Sequence, residues 1–275
     1  MMADIPEPSS PIGVFDSGIG GLTVVQSLLR CLPQERILYF GDTARVPYGV
    51  RSAATICSYA TEVAAFLLRR NVKLLIIACN TIAAVAAPAV RGISGVPVLD
   101  VIDAGARQAA RATRNGRIGI IGTPATVNSR AYEKVLQGVI SGVRTFSRAC
   151  RLFVPLAEEG WFDHPVTKLV AEEYLRPLLA ENVDTLILGC THYPLLRPLI
   201  AEVAGPGVAL VDSADAMAER TKRLLEESGQ ANPSGNRPEH RFFITDLPDR
   251  FQAIGEGFLG RPLRNLEVVR LTPER

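Results

Sequence analysis

The 275-residue sequence predicts an α/β fold of two similar lobes, each a mostly parallel sheet flanked by helices. Apolar runs of strand length alternate with segments of helical periodicity, which is typical of parallel α/β sheets. A strand pattern also occurs twice, as NVKLLIIACNT from Asn71 and as NVDTLILGCTH from Asn182, 111 positions apart. A second repeat, IGVFDS from Ile12 and IGIIGT from Ile118, has an offset of 106 positions. The second half is therefore predicted to be a diverged copy of the first, related to it by a pseudo-twofold axis.

The first half contains strands and helices in alternation. The loop 41–49 follows the carboxyl end of a strand, which is a usual place for binding residues. The helix 52–70 has apolar residues at helical spacing and leads into the first cysteine strand. In order, the predicted elements are strand 11–15, helix 22–30, strand 37–40, helix 52–70, the cysteine strand, helix 83–90 and strand 96–101.

The pattern restarts near position 103 and ends in a segment that is predicted to return to the first lobe. We expect a first lobe of residues 1–102 with 213–275 and a second lobe of residues 103–212. The predicted elements are helix 103–113, strand 117–121, helix 129–139, extended segment 143–146, loop 156–161, helix 166–181, the second cysteine strand, strand 208–211, helix 214–227, linker 229–238 and strands 241–245 and 266–271.

Composition excludes several classes of protein. The hydrophobic fraction is 47%, the charged fraction is 21%, and the formal net charge of +2 comes with scattered arginines. Neither a nucleic-acid-binding nor a membrane-binding surface is indicated. The first ten residues lack the basic and apolar regions of a signal peptide, and no apolar run approaches the roughly 20 residues of a spanning helix. We expect a cytoplasmic protein whose five widely spaced cysteines are free thiols.

The repeated strand delivers a thiol in each half. Cys79 and Cys190 end continuous apolar runs, and the carboxyl ends of parallel strands are where open α/β sheets bind ligands. Each cysteine precedes a polar pair and a predicted helix, and a thiol at a helix N-terminus beside donors tends to have a lowered pKa. His192 is two residues beyond Cys190 and can hold or receive its proton. One cleft with a cysteine on each side is predicted.

Other interpretations of these residues remain open at this point. Either cysteine could be a small buried hydrophobic residue, and two thiols with His192 could form a Cys2His zinc site. A cysteine and a histidine could also carry out acyl transfer, which would leave the second cysteine without a purpose. The glycine-rich turn after Asp16 lacks the glycine spacing of a dinucleotide site and the Gly-Lys-Ser of a P-loop. Asp16 itself could be a turn or helix cap.

Several motifs resemble the glutamate racemase family, within the superfamily of cofactor-independent aspartate and glutamate racemases. The resemblance extends from Ile12 to about Leu225. The matching stretches are IGVFDSGIGGLTV (12–24), GDTARVPYG (41–49), ACNT (78–81), FVPLAEEG (153–160), LGCTHYPLL (188–196) and VDSA (211–214). Two segments, 101–105 and 149–152, depart from the family pattern, which often has Cys-Pro where this chain has Cys150-Arg151.

The resemblance implies racemisation of L- and D-glutamate by two-base proton transfer, supplying D-glutamate for peptidoglycan. Cys79 would deprotonate the D-enantiomer and Cys190 the L-enantiomer. Asp16 would assist Cys79, His192 would assist Cys190, and Glu158 would orient His192. The implied substrate contacts are Asp16, Ser17, Tyr48, Gly49, Asn80, Thr81, Thr123, Thr191 and His192.

The resemblance further implies no cofactor, no metal, no nucleic-acid or membrane partner, and a homodimer. Racemisation of aspartate or another acidic amino acid is the nearest alternative. A non-catalytic amino-acid-binding protein would keep the same cleft.

Overall fold

The computed structural model describes residues 6–234, 238–247 and 251–271. Positions 1–5 of the N-terminal tail and 235–237 of the predicted linker lie outside the described residues. The strands are β1 (Ile12–Asp16), β2 (Ile37–Gly41), β3 (Leu74–Ile77), β4 (Val98–Asp100), β5 (Arg117–Gly122), β6 (Arg144–Ala149), β7 (Thr185–Gly189), β8 (Ala209–Asp212), β9 (Arg241–Ile244) and β10 (Leu266–Val268).

Helices connect and cover these strands. They are α1 (Leu22–Cys31), α2 (Ala53–Leu68), α3 (Asn80–Ile93), α4 (Val101–Ala112), α5 (Pro124–Ser129), α6 (Ala131–Val139), α7 (Phe153–Glu158), α8 (Pro165–Ala180), α9 (Arg197–Ala204), α10 (Ser213–Glu227) and α11 (Phe251–Leu259). In the described ranges, no helix combines the length and the apolar character needed to cross a bilayer.

The strands form two sheets in which every pairing is parallel. The first sheet has the order β10-β9-β2-β1-β3-β4 and the second has the order β6-β5-β7-β8. The last four strands of the first sheet follow the same connectivity as the four strands of the second. The predicted α/β class with two similar parallel sheets is therefore confirmed. Strands β9 and β10 extend the first sheet beyond β2.

Matched packing contacts accompany the repeated sequences. Gly13 on β1 pairs with Leu75 on β3, and Gly119 on β5 pairs with Leu186 on β7. A Cβ atom added at either glycine would lie 2.9 Å from a methyl carbon of the paired leucine. The leucine in each half thus fills the space that a side chain on the neighbouring strand would need.

The turn before each cysteine strand has the same backbone conformation. Asn71 has φ 52° and Asn182 has φ 54°, both in the left-handed region. Asparagine is one of the few residues with a side chain that tolerates this region, and it commonly ends a helix there. The repeated Asn-Val therefore ends α2 and α8 and turns the chain into β3 and β7.

The predicted elements are largely present, and their differences have local causes. The predicted helix 129–139 corresponds to α6, which begins two residues later because Arg130 adopts a left-handed conformation with φ 55° between α5 and α6. The predicted loop 156–161 begins inside α7, so Glu158 is the last residue of a helix. Helices α5, α7, α9 and α11 were not predicted, because all four are short and α11 contains Gly255 and Gly257, which disfavour helix.

Helices α4 and α10 connect the two sheets. Helix α10 packs against α1, which lies next to the first sheet, and against α4. Helix α4 also packs against β7 and β8 of the second sheet. Buried side chains form a large core around the first sheet that includes Ile118, Ile120 and Ile187 of the second. A smaller core surrounds β7, α7 and α8.

Candidate active site

A cavity of about 610 Å³ lies at the carboxyl ends of the central strands of both sheets. All twelve residues that the sequence singled out line it, and they come from both halves of the chain. They are Asp16, Ser17, Tyr48, Gly49, Cys79, Asn80, Thr81, Thr123, Glu158, Cys190, Thr191 and His192. The cavity therefore brings together both thiols, the imidazole and the hydroxyl and amide groups that follow the repeated strands.

Cys79 occupies the N-cap position of α3, two residues after the end of β3. Its thiol is 6% exposed, and its Sγ lies 3.4 Å from the Ser17 hydroxyl. Burial and the nearby Asp16 carboxylate raise the pKa of the Cys79 thiol to about 12, although hydrogen bonds from Ser17 and the Ile82 backbone N–H act in the opposite direction. The sequence suggested a lowered pKa at this helix N-terminus. That expectation is wrong because burial outweighs the helix amides.

Cys190 follows β7 and is also 6% exposed. Its Sγ lies 3.8 Å from Nδ1 of His192. An α-helix was expected immediately beyond this cysteine, but the chain instead forms a 3-10 turn over Tyr193–Leu196 before α9 begins. The two thiols thus have different partners: helix amides and Ser17 surround Cys79, whereas an imidazole faces Cys190.

His192 links Cys190 to a carboxylate. Its Nε2 lies 2.9 Å from Oε1 of Glu158 at the end of α7, and its ring contacts the edge of Phe258 on α11 at 5.1 Å between centroids. Burial disfavours the imidazolium, but hydrogen bonds to Cys190 and Glu158 and the charges of both outweigh it. The net effect raises the pKa of His192 from 6.5 to about 10. The imidazolium form of His192 is therefore favoured near neutral pH.

Asp16 ends β1 and is buried against the turn that follows it. The backbone N–H of Gly18 donates to its Oδ1 at 2.8 Å, and the Thr191 hydroxyl donates to its Oδ2 at 3.5 Å. Burial raises the pKa of Asp16, while His192, these hydrogen bonds and the N–H of Gly21 lower it in part. Asp16 is thus a carboxyl group shared between the first half and the residues beyond Cys190.

The polar residues after Cys79 leave one donor without a partner. The Tyr132 hydroxyl donates to Oδ1 of Asn80 at 2.7 Å, which fixes the orientation of the amide. Nδ2 of Asn80 is buried and has no hydrogen-bond partner among the described residues. The Thr81 and Thr123 hydroxyls lie 3.1 Å apart across the two halves. An acceptor in the cavity can complete the hydrogen bonding of this buried amide.

Tyr48 lines the cavity, and its hydroxyl is bonded to a residue outside the lining. That hydroxyl donates to Oδ2 of Asp42, a fully buried carboxylate. The Arg45 guanidinium also donates to Oδ2 of Asp42 at 2.6 Å, and the Thr245 hydroxyl donates to Oδ1 at 2.9 Å. The loop that carries Tyr48 and Gly49 is thereby attached to Thr245, the residue that follows β9.

Sequence reasoning missed several lining residues. Phe251 and Ile254 come from the unpredicted helix α11, and nothing in their local pattern distinguishes them from core residues. Val154 and Pro155 lie in the matching stretch around Glu158, and Val46 and Pro47 lie in the predicted binding loop, so proximity in sequence could have identified these four. Arg151 lies in one of the two segments that depart from the family pattern.

The alternative zinc site receives no support from this geometry. Within residues 6–234, 238–247 and 251–271, no three side chains of His, Cys, Asp and Glu are placed so that they could hold a metal ion. The thiols, the imidazole and the carboxylates instead pair with hydroxyls, backbone amides and one another.

A two-lobed parallel α/β fold with a thiol from each half in one cavity defines a class of amino-acid racemases. The sequence model of Asp/Glu/Hydantoin racemase matches residues 12–221. The chain belongs to this family and is an amino-acid racemase.

Its relatives include glutamate racemases at high identity. The glutamate racemase of Syntrophus aciditrophicus is 62% identical over 261 residues, covering 95% of this chain and 97% of that protein. The glutamate racemase of Neisseria meningitidis serogroup A is 54% identical over 262 residues, with the same coverage of 95% and 97%. The crystal structure of glutamate racemase from Francisella tularensis in complex with D-glutamate superimposes with a TM-score of 0.90 at 43% identity, covering 96% of this chain and 98% of that one.

Gly20 is required where the turn after β1 meets the residues beyond Cys190. A Cβ atom at this position would lie 2.2 Å from Oγ1 of Thr191 and 2.6 Å from Nδ1 of His192. We expect Gly20→Ala to destabilise the fold by about 1–3 kcal/mol, as overpacking does, and to reduce activity by displacing His192. Chemical denaturation and an activity assay measure both effects.

Gly138→Ala is the matched control, because Gly138 lies on an exposed position of α6 with no atom within 4 Å of an added Cβ. That variant should gain about 0.5–1 kcal/mol of helix stability and keep full activity. Wild-type stability and activity in Gly20→Ala would contradict the packing argument.

The protonation of His192 makes part of the folding stability depend on pH. Its pKa is raised from 6.5 to about 10 in the folded protein, so the stabilisation is full below pH 6.5 and is lost as pH rises through about 10. The difference in unfolding free energy between wild type and His192→Gln should therefore shrink steadily from pH 6.5 to 10. Glu158→Gln removes a carboxylate that raises this pKa, and it should therefore shift the loss of this stabilisation to lower pH. A difference that is constant over this range would contradict the assignment.

Proposed function

We propose that this chain interconverts L- and D-glutamate without a cofactor, by proton transfer between the substrate and two cysteines, Cys79 and Cys190. One observation carries the proposal: the repeated strands β3 and β7 each deliver a buried thiol to the same cavity. The names of the relatives, including a solved glutamate racemase in complex with D-glutamate, supply the substrate.

Inversion of a carbon centre is the reaction that two opposed acid–base groups suit. A proton must leave one face of the α-carbon and another must arrive at the opposite face, whereas a single base tends to return the proton that it removed. In one direction one cysteine acts as a thiolate base and the other acts as a thiol acid, and the roles reverse in the opposite direction. Racemisation therefore uses both cysteines, whereas acyl transfer would leave one of them without a role.

The surroundings of the two thiols favour one protonation state. The pKa of Cys79 is raised to about 12, which keeps it a neutral thiol near neutral pH. The pKa of His192 is raised to about 10, which favours an imidazolium beside the Cys190 sulfur. Because a base and an acid are needed on opposite faces, this state is ready to deprotonate L-glutamate at Cys190 and to deliver a proton from Cys79.

The assisting groups follow from their contacts. His192 holds the proton that Cys190 releases, and Glu158 fixes the ring and stabilises its charge through Nε2. Asp16 assists Cys79: its carboxyl group raises the pKa of that thiol. When Cys79 is the base, loss of its proton is easier if Asp16 is neutral, and burial shifts Asp16 towards its neutral form.

Binding of the α-carboxylate and stabilisation of the carbanion fall to neutral donors. The unpartnered Nδ2 of Asn80 and the hydroxyls of Ser17, Thr81, Thr123 and Thr191 line the cavity. Tyr48 and Gly49 contribute backbone groups, since the Tyr48 hydroxyl is committed to Asp42. Fixed donors in a site with little water stabilise developing negative charge more effectively than they do in water.

Three further assignments complete the proposal. Strand β9 pairs with β2, which supports a first lobe of residues 1–102 with 213–275 and a second of residues 103–212. The five free cysteines suit a cytoplasmic location, where D-glutamate would enter peptidoglycan synthesis. The protein is proposed to act as a homodimer, and sedimentation equilibrium giving the mass of one chain would reject that assignment.

The reaction is tested with L-glutamate and purified reduced protein in D2O, with no added cofactor. We expect D-glutamate to form with deuterium at the α-carbon, because the incoming proton comes from a group that exchanges with solvent. Proton NMR follows the loss of the α-proton, and a chiral assay follows handedness. Folded protein that produces neither deuteration nor the D-isomer would reject the glutamate assignment.

Replacement of each cysteine separates the two bases. Cys79→Ser and Cys190→Ser should each lose about 10²- to 10⁴-fold in racemisation, the usual contribution of a positioned acid or base. In D2O, Cys190→Ser should retain slow α-proton exchange of D-glutamate only, and Cys79→Ser that of L-glutamate only. Cys31→Ser is the control, because Cys31 lies at the end of α1 beside Glu219 and outside the cavity. Full racemisation in either cavity variant would contradict the mechanism.

A further inference from the structure

One lining residue has no part in the proposed proton transfer. Arg151 lies between β6 and α7, and it is the sole lysine or arginine among the described residues that line the cavity. An arginine in the wall of a cavity for an acidic substrate needs a physical explanation.

The backbone on both sides of Arg151 is firmly held. The neighbouring Cys150 is fully buried, donates its N–H to the Gly122 carbonyl at 2.9 Å and accepts from the Tyr193 hydroxyl at 3.0 Å. Phe153, two residues later, is fully buried between Tyr174 and Tyr193. Arg151 therefore projects an exposed side chain from an anchored position.

The guanidinium of Arg151 also lacks a counter-ion. No described residue forms a hydrogen bond or an ion pair with it, whereas the other charged lining groups have partners. Glu158 pairs with His192 at 2.9 Å, and Asp16 accepts from Gly18 and Thr191. Arg151 is thus the one permanent positive charge of the described lining that is available to an anion.

We propose that Arg151 is a specificity-determining residue whose guanidinium binds the side-chain carboxylate of a dicarboxylic amino acid at the mouth of the cavity. The inference rests on the proposed function and extends it to the choice of substrate. Arginine presents a planar fork of N–H donors that matches a carboxylate, and it remains charged at every pH at which the protein is folded.

The position of the thiols decides which carboxylate Arg151 can reach. The α-carbon must lie between Cys79 and Cys190, both 6% exposed, so the α-carboxylate belongs near the buried donors that follow the cysteines. Arg151 is exposed and lies on the solvent side of the same cavity. The side-chain carboxylate, which is more distant from the α-carbon, is the one that can extend towards Arg151.

The test compares wild type with Arg151→Gln, Arg151→Lys and the control Arg144→Gln. Arg144 begins β6, is exposed and lies outside the cavity, so its replacement removes the same charge elsewhere. We expect Arg151→Gln to raise KM for glutamate about three- to fivefold, as an exposed ion pair would, with kcat changed less than about twofold. Arg151→Lys should restore part of the affinity, and added salt should raise KM more in wild type than in Arg151→Gln.

Two inhibitors test the role of the second carboxylate directly. Glutarate has two carboxylates, and glutaramate has an amide in place of one. Arg151→Gln should weaken inhibition by glutarate more than inhibition by glutaramate, because only glutarate offers an anion at both ends. Equal weakening would reject side-chain recognition, and an unchanged KM in Arg151→Gln would overturn the inference while leaving the racemase assignment intact.

The experiment also separates this inference from the proposed function. If wild type does not racemise glutamate, the proposed function fails, and calorimetric binding of glutarate becomes the measurement. Tighter binding to wild type than to Arg151→Gln would then still support an anion site at Arg151. Equal binding, or no binding to either protein, would overturn the inference as well.

Discussion

The contact between the turn that follows β1 and the residues that follow Cys190 holds the cavity together. The Thr23 hydroxyl donates to the Thr191 carbonyl at 3.1 Å, and the Thr191 hydroxyl donates to Asp16. Gly20 allows the two turns to approach each other, because it has no Cβ atom that would clash with Thr191 and His192. Both cysteines lie in one cavity only because these two turns pack against each other, so packing and chemistry depend on the same few atoms.

The sequence repeat makes the two halves of the fold similar, but the two thiols have different surroundings. At Cys79 the helix α3, the Ser17 hydroxyl and a buried carboxyl group surround the sulfur. At Cys190 the helix is replaced by a 3-10 turn, and Nδ1 of His192 faces the sulfur. Two thiols in identical surroundings would have the same protonation state, whereas proton transfer across a carbon centre requires one base and one acid.

The cavity keeps its charges in specific pairs. Burying an ionisable group is costly unless it is paired or neutral. Asp16 accepts a hydrogen bond from Thr191 of the other half, and His192 pairs with Glu158 within the second half. The Asp42 carboxylate, attached to Arg45 and Thr245, holds the binding loop without entering the cavity. Arg151 differs from all of these, because its guanidinium faces solvent and is available to a ligand.

The sequence by itself determined the parallel α/β class, the repeat and the identity of the twelve candidate site residues. The class, the repeat and the two cavity cysteines depend on local periodicity and on residue types at strand ends, which a linear pattern records: Asn71 and Asn182, Cys79 and Cys190. Other site residues, such as Ser17 and Glu158, were indicated by the resemblance to a known family. Only the tertiary structure placed helix α11 against His192 and the Tyr48 hydroxyl on Asp42. It also raised the pKa of Cys79 and placed Arg151 in the cavity wall. Each of these depends on burial or on contacts between residues far apart in the chain, and hydrophobic periodicity contains no information about such contacts.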